Sequence, residues 1–441
     1  MNNKFGRNLI KVMLSLFLFL QSGLLLQAEE EQEAGYRLKE VVVLSRHNIR
    51  APLSGSGSML GEATPYEWYE WSSNPSELSL RGGTLETTMG QYFRKWLISE
   101  GLVMENWRPD GNEVRFYANA KQRTIATAQY FSSGFLPVAN VPIEYHADYD
   151  TMDDVFTPKL TFMSDAYRAA AIPLMQARAE VLQDSYDLLA STVDYEDSAG
   201  RRNGFLPELK DGPAEIVLNL GDEPGMTGVL KIANSLTDAL ILQYYEASEE
   251  KAAAFGHELD REQWQKLADI KEAYDQALFS VPMIAVNVAH PLLQEIEGEL
   301  ASPGRKFTFL CGHDSNIASV LAALDAEEYE LADSIEQSTP IGSKLVFEKW
   351  ADEEDREYIR VRLVYLSPDQ MRNISLLDLD HPPMTEVISF RGMTANDLGM
   401  YPIEDMREHL QGAIMAYGET AAAYGADIPA SAGPIPDTAV K

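Results

Sequence analysis

Three times along this chain an apolar run ends in a short polar cluster and gives way to helical spacing, and this repeated order constrains the fold more than any other feature. Val41-Val42-Val43-Leu44 is a continuous β-branched and apolar stretch, as occupies a strand buried on both faces of a parallel sheet. It leads directly into Ser45-Arg46-His47-Asn48-Ile49-Arg50, after which Leu85, Met89, Tyr92, Phe93, Trp96 and Leu97 recur with helical spacing up to Gly101. Val114-Arg115-Phe116-Tyr117-Ala118 alternates like a strand, runs into Lys121-Gln122-Arg123, and is followed by a helix from Thr124 to Phe131. Phe307-Thr308-Phe309-Leu310-Cys311 is the third strand, ending in Gly312-His313-Asp314 ahead of a helix from Asn316 to Leu324. An open α/β sheet displays its chemistry at the carboxyl ends of its strands, so the three polar clusters are expected to share one crevice.

Between about Ser164 and Leu300 the pattern changes to helical periodicity, clearest over Tyr167 to Val193, Leu230 to Glu246 and Asp260 to Phe279. Residues 164–300 are therefore expected to form a helical domain inserted into an α/β domain built from 29–163 and 301–441. The sheet resumes at Phe307 and is expected to end in a hairpin, Lys344 to Trp350 with Tyr358 to Leu366, around an acidic turn. After about Tyr417 the chain is rich in Ala, Gly and Pro and reads as a loose tail.

Ahead of the first strand, Lys4, Arg7 and Lys11 precede an apolar run from Val12 through Leu26, then Ala28 before Glu29-Glu30-Glu31. That order is a secretory signal peptide over residues 1–28, and the run, broken by Gln21-Ser22-Gly23, is short for a membrane span. The mature chain is expected to be periplasmic or secreted and free of the membrane; an uncleaved anchor is the alternative, because Leu26 is unusual two residues before the cut. The single cysteine, Cys311, excludes an intramolecular disulfide and reads as a small buried strand residue. With 68 acidic against 36 basic residues the formal net charge is −32, which argues against nucleic acid or an anionic membrane as partner. Such a surface also repels anionic substrates, so a phosphate site here needs a local cluster of arginines.

The three clusters supply that chemistry. Phosphoryl transfer to a side chain requires a neutral nucleophile, cations around the equatorial oxygens and an acid for the departing alcohol. His47 lies between Arg46 and Arg50, and imidazole flanked by guanidiniums is disfavoured as a cation. Arg123 offers a third planar fork, His313 a hydrogen-bond donor and Asp314 a general acid. Each cluster alone is weak; their coincidence at equivalent strand ends carries the reading. His146, His257, His290, His381 and His409 show no metal-ligand spacing, and there is no Gly-rich phosphate loop or dinucleotide fingerprint, so neither metal nor cofactor is expected.

Arg46-His47-Asn48-Ile49-Arg50-Ala51-Pro52 resembles the RHGxRxP signature of the histidine acid phosphatases, and Gly312-His313-Asp314-Ser315-Asn316 resembles their HD motif. The likeness is to the bacterial glucose-1-phosphatase and phytase branch and extends through Ala118–Thr124, Thr151-Met152-Asp153, Asn234–Ala239, Gln243–Glu246 and Thr339–Gly342. It implies a phosphoglycerate mutase-like α/β domain with a mainly parallel central sheet, an inserted helical domain, no metal, and a phosphohistidine intermediate. Carried over by motif, His47 is the nucleophile, Arg46, Arg50, Arg123 and His313 hold phosphate, Asp314 donates the proton, and Glu246 lines the substrate pocket. Two departures stand out. The family's usual disulfides are missing, and Asn48 replaces the usual glycine, where a polar side chain is expected to narrow the site.

The expected function is therefore a secreted acid phosphatase acting on small phosphate monoesters. Sugar phosphates are favoured over inositol hexakisphosphate, because Lys121 is the one obvious extra cation near the motifs and Glu246 would repel further phosphates. Two alternatives compete: a phosphoglycerate mutase-type transferase, disfavoured by export and by Asp314, and a phosphate or sugar-phosphate binding protein without turnover, disfavoured because nucleophile and acid are both present.

Overall fold

The computed structural model describes residues 35–53 and 58–428, so the signal peptide read over residues 1–28 lies outside it. Along the chain the main elements are β1 (Arg37–Arg46), α1 (Leu80–Ser99), β2 (Val114–Ala118) and α2 (Gln122–Phe135). Then come α3 (Asp165–Arg178), α4 (Gln183–Thr192), β3 (Glu215–Val217), β4 (Gly225–Thr227), α5 (Val229–Glu246), α6 (Arg261–Phe279), α7 (Pro282–Val288) and α8 (His290–Leu300). The last stretch holds β5 (Phe307–Gly312), α9 (Asp314–Ala323), β6 (Lys344–Ala351), β7 (Glu357–Tyr365), β8 (Met384–Val387), β9 (Met400–Pro402) and α10 (Ile403–Ala423).

The expectation of a mainly parallel sheet holds for the strands that carry the three clusters: β2, β5 and β1 lie side by side and parallel. Beyond β1 the sheet continues antiparallel through β6, β7 and β8, with β9 also on β7. Cys311 pairs with both Ser45 and Ala118, and Gly312 pairs with Arg46, so the three carboxyl ends are level. The continuous apolar run of β1 is explained by two cores. Val41 and Val43 pack with Phe93, Phe131, Phe307 and Phe309 on the α1–α2 side, while Val42 and Leu44 pack with Leu292, Ile296, Ile317 and Leu410 on the α8–α9–α10 side. Each fully buried Val or Leu of this kind contributes roughly 1.5–3 kcal/mol relative to exposure. Cys311 is fully buried in β5, which pushes its thiol up from the ordinary range.

Three sequence expectations are corrected. The helix expected over Tyr167 to Val193 is two, α3 and α4, broken between Arg178 and Gln183. The backbone at Leu182 is extended, at φ −63° and ψ 137°, which interrupts the helical path just before α4. The sheet does not end at the β6–β7 hairpin, because β8 and β9 both pair with the far edge of β7. Runs of three or four residues are too short to carry a detectable period. The terminal helix α10 continues to Ala423, past the point where a loose tail was expected, with Tyr417 and Ala421 buried one turn apart. The Tyr417 ring stacks on His290, centroids 4.0 Å apart, so composition hid a packed face. Among the described residues no helix is long and apolar enough to cross a membrane.

Helices α1 and α2 meet backbone to backbone. A Cβ at Gly134 would lie 2.1 Å from the Thr87 carbonyl oxygen, and one at Gly90 would lie 2.2 Å from that of Phe131. Gly134→Ala is therefore expected to lower stability by about 1–3 kcal/mol through overpacking, although alanine is the better helix former. Urea unfolding measures this; an unchanged or raised midpoint would show that the two helices can part.

Candidate active site

The level strand ends bring the clusters into direct contact. The His47 amide donates to the Gly312 carbonyl at 3.0 Å, and the Asn119 amide to that of Cys311 at 2.8 Å. The His47 ring is buried, and its Nδ1–H donates to the Asn48 carbonyl at 2.9 Å, leaving the Nε2 lone pair free for chemistry. His313 stands edge-on to it, ring centroids 5.4 Å apart. The tautomer of His313 follows from Asn119. That amide accepts the Asp153 N–H through Oδ1 at 2.8 Å, so its Nδ2 is the atom facing His313 Nε2 at 2.7 Å, and Nε2 must accept. The ring proton is then on Nδ1, 3.5 Å from the Arg123 guanidinium, so two donors converge on one point. Burial holds both imidazoles well below the ordinary histidine range, reinforced most by the Arg123 cation.

Arg46 is buried, donates to Glu336 at 2.9 Å and to the Thr339 carbonyl, and pairs with Asp314 at 3.1 Å. Arg50 pairs with Asp238 at 3.1 Å. Burial and the neighbouring Arg50 push Arg123 down to about 10, which leaves it charged at any acidic or neutral pH. Among the described residues, the Nε of each of these three guanidiniums lacks a hydrogen-bond partner. The structure thus gathers Arg46, His47, Arg50, Arg123, His313 and Asp314 into one nest. Glu246 stands beside it: its carboxylate accepts from Ser79 Oγ at 2.8 Å, and Ser79 in turn donates its amide to the Ile49 carbonyl. Its pKa is raised by burial, opposed by Ser79 and Arg81.

Several residues here escaped the sequence reading. Lys271 of α6 donates to Asp314 at 2.9 Å and also to Asp275, one helical turn along. Burial pushes the Asp314 carboxyl up, but Lys271 and Arg46 outweigh it and hold the group well below the usual carboxylate range. In this arrangement the carboxylate form of Asp314 is favoured, whereas the general-acid role read from the sequence needs the protonated form. Glu223, in the β3–β4 turn, lies within electrostatic range of Arg123, Asp314 and Lys121. Asp238 and Glu336 lie in or near the stretches Asn234–Ala239 and Thr339–Gly342 already noted for their resemblance, and that was the one available signal.

Asn48 does not narrow the site. Its side chain turns away, Nδ2 donating to Glu86 at 2.7 Å and Oδ1 accepting from the Ile49 amide at 2.8 Å. Glu86 is fully buried and paired at 3.0 Å with the equally buried Lys344, which also donates to the Gly342 carbonyl. Gly342, at φ +73°, leaves the room, since a Cβ there would sit 2.5 Å from Asn48 Nδ2. The assembly fixes the backbone of Asn48, whose carbonyl sets the tautomer of His47.

Residues 37–365 match the family model of the histidine phosphatase superfamily, branch 2. The chain belongs to that family and is an enzyme of the phosphatase class. It is 39% identical to a glucose-1-phosphatase of Salmonella typhimurium over 86% of this chain and 92% of that protein. It is 37% identical to a glucose-1-phosphatase of Providencia rettgeri, over 86% of this chain and 93% of that protein. The solved apo phytase of Hafnia alvei superposes with a TM-score of 0.79 at 26% identity, covering 86% of this chain and 98% of that one. The same phytase in complex with myo-inositol hexakis sulphate gives 0.78, at the same identity and coverage.

Asn48→Gly should lower stability by about 1–3 kcal/mol, because buried Glu86 loses a donor. It should shift the ratio of kcat/KM between a sugar phosphate and inositol hexakisphosphate by less than about threefold, about 0.65 kcal/mol. A larger shift toward the bulkier ester, in steady-state kinetics, would return Asn48 to the role of a gate.

Proposed function

We propose that this protein hydrolyses small phosphate monoesters, sugar phosphates ahead of inositol polyphosphates, through a phosphohistidine on His47. The observation that carries the reading is the orientation of that ring. Its Nδ1–H is committed to the Asn48 carbonyl, so Nε2 presents a lone pair within a nest of three guanidiniums. Arg46, Arg50, Arg123 and the Nδ1–H of His313 hold the phosphate oxygens and stabilise their charge as the transition state forms. The ester enters as the monoanion, whose proton Asp314 takes up; Nε2 then attacks phosphorus, the ester P–O bond breaks, and Asp314 protonates the departing oxygen. As a carboxylate, Asp314 then takes a proton from water, which attacks the phosphohistidine and releases inorganic phosphate.

The pKa of His47 in the fold lies well below 6.5, so the imidazole stays neutral and nucleophilic through mildly acidic solution.

The preference for a single phosphate rests on the surrounding charges. Arg50 is paired with Asp238, Lys121 donates to the Asp150 carbonyl, and Glu223 and Glu246 are acidic groups whose pKa burial raises, so none of these is a free cation for a second phosphate. Such a rim offers additional phosphates no counter-charge and accepts hydrogen bonds from hydroxyls. The two glucose-1-phosphatase relatives agree with this, and the likeness to a phytase supports inositol phosphates as slower substrates. The leader read over residues 1–28 supports a periplasmic or secreted setting.

His47→Ala should abolish both turnover and acid-quenched phosphoenzyme labelling. With the purified protein near pH 5, kcat/KM for glucose 1-phosphate should exceed that for inositol hexakisphosphate. A tenfold preference for the latter overturns the substrate assignment, and labelling that survives in the variant overturns the nucleophile.

A further inference from the structure

The stretch Thr151-Met152-Asp153, one of those noted for its resemblance, contributes no residue to the chemistry above. It packs instead on Asn119, which follows β2 and is fully buried behind His313. Every polar atom of the Asn119 side chain is engaged. Oδ1 accepts the Asp153 N–H at 2.8 Å, while Nδ2 faces the Met152 sulfur at 3.2 Å and His313 Nε2 at 2.7 Å. Both ends of this contact are held. The Asn119 amide donates to the Cys311 carbonyl at 2.8 Å, and its carbonyl accepts the Thr124 hydroxyl at 2.6 Å. The Asp153 carboxylate accepts the Tyr117 hydroxyl at 2.8 Å and the amides of Val155 and His146 at 3.0 and 2.8 Å. Flipping the Asn119 amide would set its NH2 against the Asp153 N–H, donor against donor.

His313 therefore meets a fixed donor at Nε2, and that nitrogen has to stay bare. The Arg123 contact, at 3.5 Å, is too long to compete with the one at 2.7 Å. A second ring proton would point at the Asn119 N–H, and turning the amide to receive it would strand the Asp153 N–H. We propose that Asn119 is a positioning residue that keeps His313 a neutral donor aimed at phosphate, so that the nest gains no charge from this ring as the solution is acidified, an inference that rests on the phosphohistidine reading above. The benefit is in turnover. A nest that took up a further cation in acid would hold inorganic phosphate more tightly and slow its release.

The groups that face His313 are Arg46, His47 and Arg50 from β1 and its loop, Arg123 from α2, and Asp314 next in the chain, with Lys271 of α6 behind Asp314. Asp153 reaches the ring only through Asn119. Burial and then Arg123 hold the imidazole well below the ordinary histidine range, with Asp314 opposing. Charge and burial thus favour a neutral ring but leave both neutral tautomers open. With its proton on Nε2, His313 would turn a lone pair toward the phosphate oxygens, and Asn119 is the group that removes this alternative.

Asn119→Asp is the discriminating change, because one carboxyl oxygen still accepts the Asp153 N–H while the other faces His313 Nε2. As long as the two side chains share one extra proton, on either partner, the Nδ1–H survives. When pH rises and that proton leaves, the carboxylate draws the remaining ring proton to Nε2 and phosphate meets a lone pair. Relative to the unsubstituted protein, kcat/KM for p-nitrophenyl phosphate should lie within about threefold near pH 4 and fall tenfold or more toward pH 8. The Kd of inorganic sulfate, which keeps both its charges over this range, should weaken in the same sense. Groups common to both proteins cancel in these ratios. Asn119→Leu, which neither donates nor accepts, should show a loss that does not vary with pH. A flat ratio in Asn119→Asp, or the same pH dependence in Asn119→Leu, overturns the assignment. Nitrogen-15 shifts of the unsubstituted protein, assigned by comparison with His313→Ala, decide the matter if Asn119→Asp does not fold. They should show His313 protonated at Nδ1 and bare at Nε2 from near pH 4 to near pH 8, and a ring that titrates or carries its proton on Nε2 overturns the proposal. Acid-quench labelling separates the two levels: no phosphohistidine on His47 sinks the underlying reading, whereas normal labelling with a titrating His313 sinks the role of Asn119 only.

Discussion

The site depends on keeping Arg46 charged inside the protein. A guanidinium removed from water needs acceptors, and losing one partner of a buried pair costs about 3–5 kcal/mol because the charge is left uncompensated. Arg46 finds Glu336 and the Thr339 carbonyl in the loop before β6, and Asp314 at the start of α9. Asp314 brings in Lys271, so one buried cation ties the central strand to the helices contributed between β2 and β5. In the proposed reading, the ion pairs that join distant chain segments are thus the same ones that prepare the site for phosphate.

Much of this arrangement was legible in the residues because local pattern and chemistry coincide at the strand ends. The apolar run Val41–Leu44 needs two cores, and parallel pairing of β1, β5 and β2 puts Arg46, Ala118 and Gly312 level. Residues whose role comes from tertiary approach were not legible. Lys271 is a lysine on an amphipathic helix, indistinguishable by spacing from a solvated one, and only the packing of α6 against α9 brings it to Asp314. Asn48 misled for a related reason: its position in the motif suggested the pocket, while its orientation was decided by Glu86 and Lys344, distant in sequence. The strands β8 and β9 were too short to show a period, and the alanine-rich end of α10 read as looseness although Leu410, Ala413, Tyr417 and Ala421 form a buried stripe.

Charge works at two scales. The chain carries −32 overall, yet the crevice concentrates three guanidiniums and an ammonium in a few helical turns and strand ends. At physiological ionic strength fields fade over about 8 Å, so the distant acidic surface weighs less on a bound phosphate than the rim carboxylates do. In the proposed reading, the acidic groups Asp238, Glu223 and Glu246, rather than the distant surface, decide how many phosphates the crevice accepts.

The depth of Cys311 has a consequence for how the chain matures. With its only thiol enclosed in β5 beneath the catalytic loops, the native state forms no covalent crosslink and exposes nothing for one to form with. Folding can reach completion without disulfide formation or reshuffling, and the finished protein should be indifferent to thiol reductants. Its resistance to unfolding then comes entirely from noncovalent packing.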